Sequence, residues 1–472
     1  MDSVLRHIVQ LFQSTSDIFF VFAVIVAGFL LLSGIDDLVV DLYYWFNSIF
    51  RRKKFTWPQR LSPELLHTTP QKPIALFIPL WHEQDVAEPM LRRACTTIDY
   101  VNYEIFVGIY PNDPATTAAV MAAARDHPQI HPVFADHEGP STKAQNLNAI
   151  HQGMIEWENI TGLRYDIIVL HDAEDLIHPL SLKCYNCFLP EYDMVQIPVY
   201  PLETKHHKVV HWTYADEFAE NHTKDLMARQ QFSGFTPSAG VGTAYNRWLM
   251  EFAGTSFARH MFRRNSLTED YDIALRLALS EAKLLYLYRP FGLDIATWAY
   301  FPETFSTAVR QRTRWLIGIC IQSWKSYGWV GSPRFKFTLY RDRKALASNI
   351  VNALAYVLLT YVLLYELVEW GLSGYGRLVP IITPGTWLWY IVLTDTFLML
   401  WRFMHRFITV SRVYGRMAGA LSIPRLPVGN AINFVATVRA FKKFFRTAGT
   451  QKPIAWEKTA HTFPTAEELR TH

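Results

Sequence analysis

Cysteine is scarce, at four in 472 residues: Cys95, Cys184, Cys187 and Cys320. So few thiols do not make a disulfide-stapled scaffold. Cys184 and Cys187 form a lone CxxC with neither a second pair nor a nearby His pair to complete a zinc site. No G-x-G-x-x-G follows the first strand-like run, which argues against a dinucleotide dehydrogenase, and the absence of G-x-x-x-x-G-K-[ST] argues against a P-loop NTPase. Internal repeats and low-complexity segments are also missing. The net charge is only +4, and no stripe of basic residues interleaves with exposed aromatics, so nucleic acid is not an expected partner.

What is present is apolar and unevenly placed. Half the residues are hydrophobic and 15% are aromatic. Ile18 to Ile35 carries no charge and is long enough to cross a bilayer, and Ala345 to Leu367 and Thr386 to Leu400 are further candidates. The first run has no basic segment close before it and no small-residue cleavage site after it, so it reads as an anchor rather than a signal peptide. Arg51 to Lys54 follow the first run, Arg341, Arg343 and Lys344 precede the second, and Arg402 and Arg406 follow the third, whereas Arg6 and Arg377 are the basic residues on the other side. The positive-inside rule then predicts a multi-pass membrane protein with about three spans, its amino terminus outside and a cytoplasmic polar domain in contact with membrane lipids. The expected units are 1–50 (span and interfacial helix), 51–330 (cytoplasmic domain), 331–404 (two spans) and 405–472 (amphipathic helices and tail). Tyr43, Tyr44 and Trp45 are expected to anchor the first interfacial stretch. Ala431 to Phe445 is expected to lie on the membrane surface after a break at Pro424 to Pro427.

Between Lys72 and about Tyr200, short apolar runs alternate with helical patterns. Strands are predicted at Pro73 to Leu80, Glu104 to Tyr110, Ile130 to Phe134, Ile167 to Leu170 and Met194 to Val199. Helices are predicted at Gln84 to Thr97, Thr116 to Asp126, Lys143 to Glu158 and, further on, Asp216 to Gln231. That alternation specifies an α/β fold with a doubly wound, mostly parallel sheet. Trp81-His82-Glu83, Asn112-Asp113 and Asp172 to Asp175 follow successive strands, so they are expected to share a crevice at the carboxyl ends of the sheet. The last of these packs three acids into four residues beside a buried strand, which is costly unless a cation or cationic ligand sits among them. Phe232 to Gly242 is a small-residue loop able to approach a ligand closely. Glu269, Asp270 and Asp272 open a helix that Ser266 or Thr268 could cap, and helix-terminus electrostatics alone would account for such acids. Gln311 to Trp315 places cations on both faces of a helix, so at least one can face an anionic ligand, and Trp315 could be an interface anchor.

Taken in order, Pro79-Leu80-Trp81-His82-Glu83, Asn112-Asp113, Lys143-Ala144-Gln145-Asn146-Leu147-Asn148, Asp172-Ala173-Glu174, Thr268-Glu269-Asp270 and Gln311-x-x-Arg314-Trp315 resemble the family 2 processive glycosyltransferases, which include cellulose and hyaluronan synthases. HDAEDLIHP, SLTEDYDIALRL, RLPVGNAINFVATVRA and AWEKTAHTFP further resemble the inner-membrane bacteriophage-adsorption glycosyltransferases. The resemblance implies a GT-A fold, a UDP-sugar donor (an N-acetylhexosamine by the second resemblance) and a growing exopolysaccharide or lipid-linked acceptor. It implies Mg²⁺ or Mn²⁺ on Asp172 and Glu174, with Asp175 the alternative second acid. Trp81, Glu83 and Asp113 would hold the uridine, and Lys143, Gln311 and Arg314 the diphosphate. Asp270 would be the general base of an inverting displacement, with Glu269 its rival, and Trp315 would stack on the acceptor sugar. The second group also resembles synthases controlled by cyclic di-GMP through a further carboxy-terminal domain, before which this chain stops. Three spans could hardly enclose a sugar channel, so export is expected to need a homo-oligomer or a periplasmic or outer-membrane partner.

Overall fold

The computed structural model describes residues 2–50, 57–258, 260–375, 378, 380–447, 462–465 and 468. Arg51 to Lys54, Arg377 and most of the AWEKTAHTFP stretch lie outside the described residues.

Strands β1 (Ile74–Pro79), β2 (Tyr103–Ile109), β3 (Ile130–Phe134) and β4 (Ile167–Leu170) run parallel in a seven-stranded sheet that β5 (Met194–Gln196), β7 (Thr243–Asn246) and β8 (Leu284–Tyr286) complete, in the order β3-β2-β1-β4-β7-β5-β8. β1 is buried along its whole length, as a central strand covered on both faces must be. Ile74, Leu76 and Ile78 face one core, with Met90 and Leu91 of helix α1 (Ala87–Thr97). Ala75 and Phe77 face the other, with Leu147 and Ile150 of α2 (Lys143–Thr161). Each fully buried large aliphatic side chain contributes roughly 1.5–3 kcal/mol. Helix α2 starts at a capping box of Thr142 and Gln145 and runs to Gly162, whose φ of 75° stops it three residues beyond the predicted end.

The predicted Met194 to Val199 strand is two strands. β5 (Met194–Gln196) pairs antiparallel with β7 (Thr243–Asn246) and parallel with β8 (Leu284–Tyr286), whereas β6 (Val199–Pro201) pairs with β9 (Thr297–Ala299) in a separate small sheet. Pro198, lacking an N–H, sits where the chain changes sheets. The predicted Asp216 to Gln231 helix begins earlier, as α3 (Val209–Glu220), passes through a π-helical turn (Asn221–Asp225) and continues as α4 (Leu226–Ser233). Cys184 and Cys187 are free thiols on the Ser181–Phe188 helix, Cys184 within the core.

Among the described residues, two helices are long and apolar enough to cross a membrane: the one at the amino terminus (Asp2–Phe50) and Pro333–Leu372. The third expected span forms the start of Trp387–Thr447 but falls short, because Trp387, Trp389, Tyr390 and Asp395 dilute its hydropathy. It nevertheless packs beside the first helix, where Ala23 and Ala27 meet Leu388 and Gly34 is so close to Leu398 that a Cβ would come within 2.8 Å of Cδ1.

Two expectations for the amphipathic stretches need correction. Residues 36–50 do not form a separate interfacial element; they continue the first helix, and their acids face protein. Asp36 pairs with Lys344 and Arg341, Asp37 with Arg402 at 3.1 Å, and Asp41 with Lys224 of the π turn. Tyr44 is buried against Leu226 and Met227. Likewise Pro424 and Pro427 sit inside the last helix, and the break falls at Gly415, whose φ of 82° and ψ of 166° are non-helical. Tertiary contacts hold that segment together: Arg425 makes two hydrogen bonds to buried Asp216 of α3, at 2.8 and 2.6 Å. Ile432 and Ala436, expected at a membrane surface, are buried against Tyr214, Ala308 and Val309.

Candidate active site

A cavity of ≈ 2010 Å³ opens at the carboxyl end of β4 and continues between the amino-terminal helix, Pro333–Leu372 and the start of Trp387–Thr447. Glu83, Lys143, Asp172, Glu174, Asp175, Glu269, Asp270, Gln311, Arg314 and Trp315 all line it. Trp81 and Asp113 are not among its lining residues. Trp81 is packed edge-on against Tyr110 at 5.0 Å and beneath Gly139, where a Cβ would lie 2.3 Å from the indole. Asp113 is buried at the head of α5 (Pro114–Asp126), accepting from the N–H of Thr116 at 3.3 Å and from the N–H of His82 at 2.6 Å. Burial raises its carboxyl, but these hydrogen bonds and the Thr116 hydroxyl outweigh it and hold the pKa below the ordinary value. The N–H of Glu83 donates to Thr116 Oγ1 at 2.9 Å, so Asp113 and Thr116 together fix the turn that brings Glu83 to the cavity.

The acids after β4 divide into two kinds. Asp175 is 3% exposed; one of its oxygens lies 2.8 Å from His171 Nδ1 and accepts from the N–H of Asp172 at 3.0 Å, which closes the turn. Asp172 and Glu174 are more open to the cavity. Lys143, the first residue of α2, sets its Nζ 2.5 Å from Asp172 Oδ1 and 3.8 Å from Glu269 Oε1. Burial alone would lower its pKa, yet Asp172 and Glu269 hold the ammonium above its ordinary value.

Glu269 and Asp270 occupy the first turn of α6 (Glu269–Leu279). Thr268 stands at the cap position but makes no side-chain cap hydrogen bond, and Ser266 lies two residues further out, so neither caps this helix. Burial raises both carboxyls: Glu269 to about 7, helped by Asp270, and Asp270 with added repulsion from Asp172, while Lys143 and Arg314 oppose both shifts. The side chains diverge as neighbouring helical positions must. Glu269 is directed to Lys143, whereas Asp270 lies under Gly240 of the small-residue loop. Gly240 has φ +77° and would place a Cβ 2.6 Å from Asp270 Oδ2. Gly240→Ala is therefore expected to displace this carboxylate and, at φ +77°, to strain the loop and lower the melting temperature; thermal unfolding of the variant checks it.

Helix α7 (Phe305–Trp315) is capped by Thr304, which accepts from the N–H of Thr307. Its cations separate by face: Arg312 is buried against Glu217 and Asn433, each at 2.6 Å, while Arg314 reaches the cavity. The Trp315 ring packs at 5.9 Å from Tyr214 inside the protein, with one side on the cavity. Sequence reasoning missed the π-helical segment Leu316–Gln322 that follows. Gly318 in it lies so near Thr268 that a Cβ would fall 2.3 Å from Oγ1, which seats this π-helical segment directly on the start of α6. The one available signal was that glycine.

The donor set fits a hard divalent cation. Among the described residues no group of three or more His, Cys, Asp or Glu could hold a metal ion unaided. Two carboxylates beside an open cavity suit Mg²⁺ or Mn²⁺, which take oxygen ligands and keep positions for phosphate and water.

Residues 70–318 match the model of the family described as glycosyltransferase-like family 2. The chain belongs to that family. Within it, the chain is 37% identical over 464 residues to bacteriophage adsorption protein B of Escherichia coli (strain K12), and equally to bacteriophage N4 adsorption protein B of Escherichia coli O157:H7. Each alignment covers 94% of this chain and 62% of the relative, so the chain spans under two thirds of these relatives' length. The mannosyltransferase PcManGT of Pyrobaculum calidifontis, solved with GDP-Man and Mn²⁺, shares the fold at a TM-score of 0.54 and 15% identity, over 90% of this chain and 99% of that one. The fold is GT-A, as the motif resemblance implies.

Proposed function

We propose that this family 2 glycosyltransferase is an inverting enzyme that moves a sugar, an N-acetylhexosamine, from a UDP-sugar to a growing exopolysaccharide at the cytoplasmic face of an inner membrane. The observation that carries the reading is the single cavity that gathers Asp172, Lys143, Asp270, Arg314 and Trp315. Asp172 and Glu174 would hold a divalent cation, which when bound would offset the charge developing on the leaving diphosphate. Gln311, Arg314 and Lys143 bind the same phosphates. Asp270 takes the proton of the acceptor hydroxyl as its oxygen bonds to the anomeric carbon; the bond from that carbon to the diphosphate breaks, and UDP departs. Trp315 supplies an apolar face for the acceptor ring. Glu83 contacts the uridine, while Trp81 and Asp113 act from behind by fixing its turn. A product displayed at the cell surface fits the role in bacteriophage adsorption that the relatives' names state.

A second reading, transfer to a lipid-linked acceptor, is favoured by the continuation of the cavity past Ala27, Leu359 and Val392 of the apolar helices. In either case export requires a second copy or an envelope partner. The test is to incubate purified full-length protein with UDP-sugars and GDP-mannose, each with Mg²⁺ or Mn²⁺, and to follow nucleotide release and product length. Release of UDP with a ladder of products supports the first reading and a single lipid-extractable addition the second; no release from any donor would rule out both.

A further inference from the structure

Lys143 is in the wrong place for a residue that serves only the diphosphate. The capping box fixes the first turn of α2. From there the ammonium reaches Asp172 Oδ1 at 2.5 Å and Glu269 Oε1 at 3.8 Å, bridging the acid assigned to the cation and one of the two at the head of α6. All three side chains are largely withdrawn from water, at 16%, 31% and 7% exposure, so solvent screens the pair weakly. A divalent cation must come to about 2.0–2.2 Å from a carboxylate oxygen, and the ammonium already sits on one of the two oxygens of Asp172. Two positive charges on one carboxylate repel, so each weakens the other's hold on it.

We propose that Lys143 is an internal counter-ion that competes with the divalent cation for Asp172 and yields only when a nucleotide diphosphate offers it a new partner. The inference rests on the reading of Asp172 as a cation-binding acid. The diphosphate brings phosphate oxygens for the cation and negative charge for the ammonium at once, so one arrival compensates both sides of the exchange. Binding is then cooperative and reciprocal: nucleotide frees Asp172 for the cation to the same extent that the cation frees Lys143 for nucleotide. A cation alone is held off, although millimolar Mg²⁺ would otherwise occupy the acids. No chemistry occurs in this step; one ion pair is exchanged for another.

The test is Mn²⁺ binding, without nucleotide, to the detergent-solubilised full chain, measured by calorimetry or by the Mn²⁺ spin-resonance signal. Lys143→Met should bind Mn²⁺ alone at least tenfold tighter than the wild type and bind UDP with Mn²⁺ at least tenfold more weakly, with the coupling between the two ligands reduced to what direct cation–phosphate contact supplies. Lys143→Arg keeps the charge and should bind Mn²⁺ alone no tighter than the wild type. If Lys143→Met melts well below the wild type, Lys143→Gln carries the same expectation, since its amide can still donate to both carboxylates. Unchanged Mn²⁺ affinity in Lys143→Met or Lys143→Gln, or tighter binding in Lys143→Arg, would overturn the counter-ion role while leaving the donor reading intact. A wild type that binds UDP equally with Mn²⁺ and with EDTA would instead overturn the reading of Asp172 as a cation-binding acid.

Discussion

With Asp270 as the proposed general base, Asp270→Asn should lower turnover by about 10³-fold and leave nucleotide affinity within a few-fold. The amide keeps the size of the side chain, so Gly240 above it still fits, but it cannot take a proton. Glu269 does not substitute, because it is directed to Lys143 rather than under the loop. The pH profile carries a second signature. Burial raises the Asp270 carboxyl, so the acid limb of kcat lies above the ordinary carboxylate range, and the rate falls as pH drops through it. The stability effect has the opposite sign. A folded pKa above the unfolded one contributes stability that is complete below the unfolded value and is lost as pH rises through the folded value. Glu269, raised to about 7, thus contributes least to stability at the pH where Asp270 is fully a base. Release of UDP measured from pH 5 to 9, beside melting curves over the same range, checks both; wild-type turnover in Asp270→Asn would remove Asp270 from the mechanism.

Asp172→Ala should weaken Mn²⁺-dependent UDP binding by about 10²-fold, in line with losing one charge-assisted ligand of a cation bound by few protein groups. Calorimetry with Mn²⁺ and with EDTA measures it, and equal affinities in wild type and variant would count against a cation on this acid. Asp175→Asn is the contrasting variant. Its carboxylate is tied to His171 and to the N–H of Asp172, so its loss should appear as a lower melting temperature more than as a change in cation dependence. These contacts favour Glu174 over Asp175 as the second acid, the choice that the alternation of an extended turn already suggests.

The parallel half of the sheet was legible because each of its strands is a short apolar run bounded by polar turns, and Ile130–Phe134 and Ile167–Leu170 fall where they were predicted. The rest of the sheet was harder. Thr243–Asn246 is four residues long and gains its place by pairing with β4 and β5, contacts that no local pattern announces. The acids, Lys143 and Arg314 were identifiable as motif members, but not the way they divide. Whether Asp113 faces a ligand or caps a helix depends on the position of Thr116, and whether Arg312 or Arg314 reaches the cavity depends on Glu217 and Asn433, 95 and 121 residues away. Pro424 and Pro427 misled for a related reason: Arg425 bound to Asp216 holds the segment in place against the prolines' preference.

The amino-terminal helix is unbroken from Asp2 to Phe50, and that makes it a ruler. Its apolar stretch ends at Ile35, and Asp41 is held by Lys224 of the π turn six residues later. Six helical residues are about 9 Å of rise and about 600° of rotation. On the proposed reading, in which this helix crosses the bilayer, the stand-off between membrane and cavity is therefore set by a residue count, and so is the bearing at which the cavity faces the membrane. One residue added between Ile35 and Asp41 would lift the helix by about 1.5 Å while turning it by about 100°, so height and heading cannot be tuned separately.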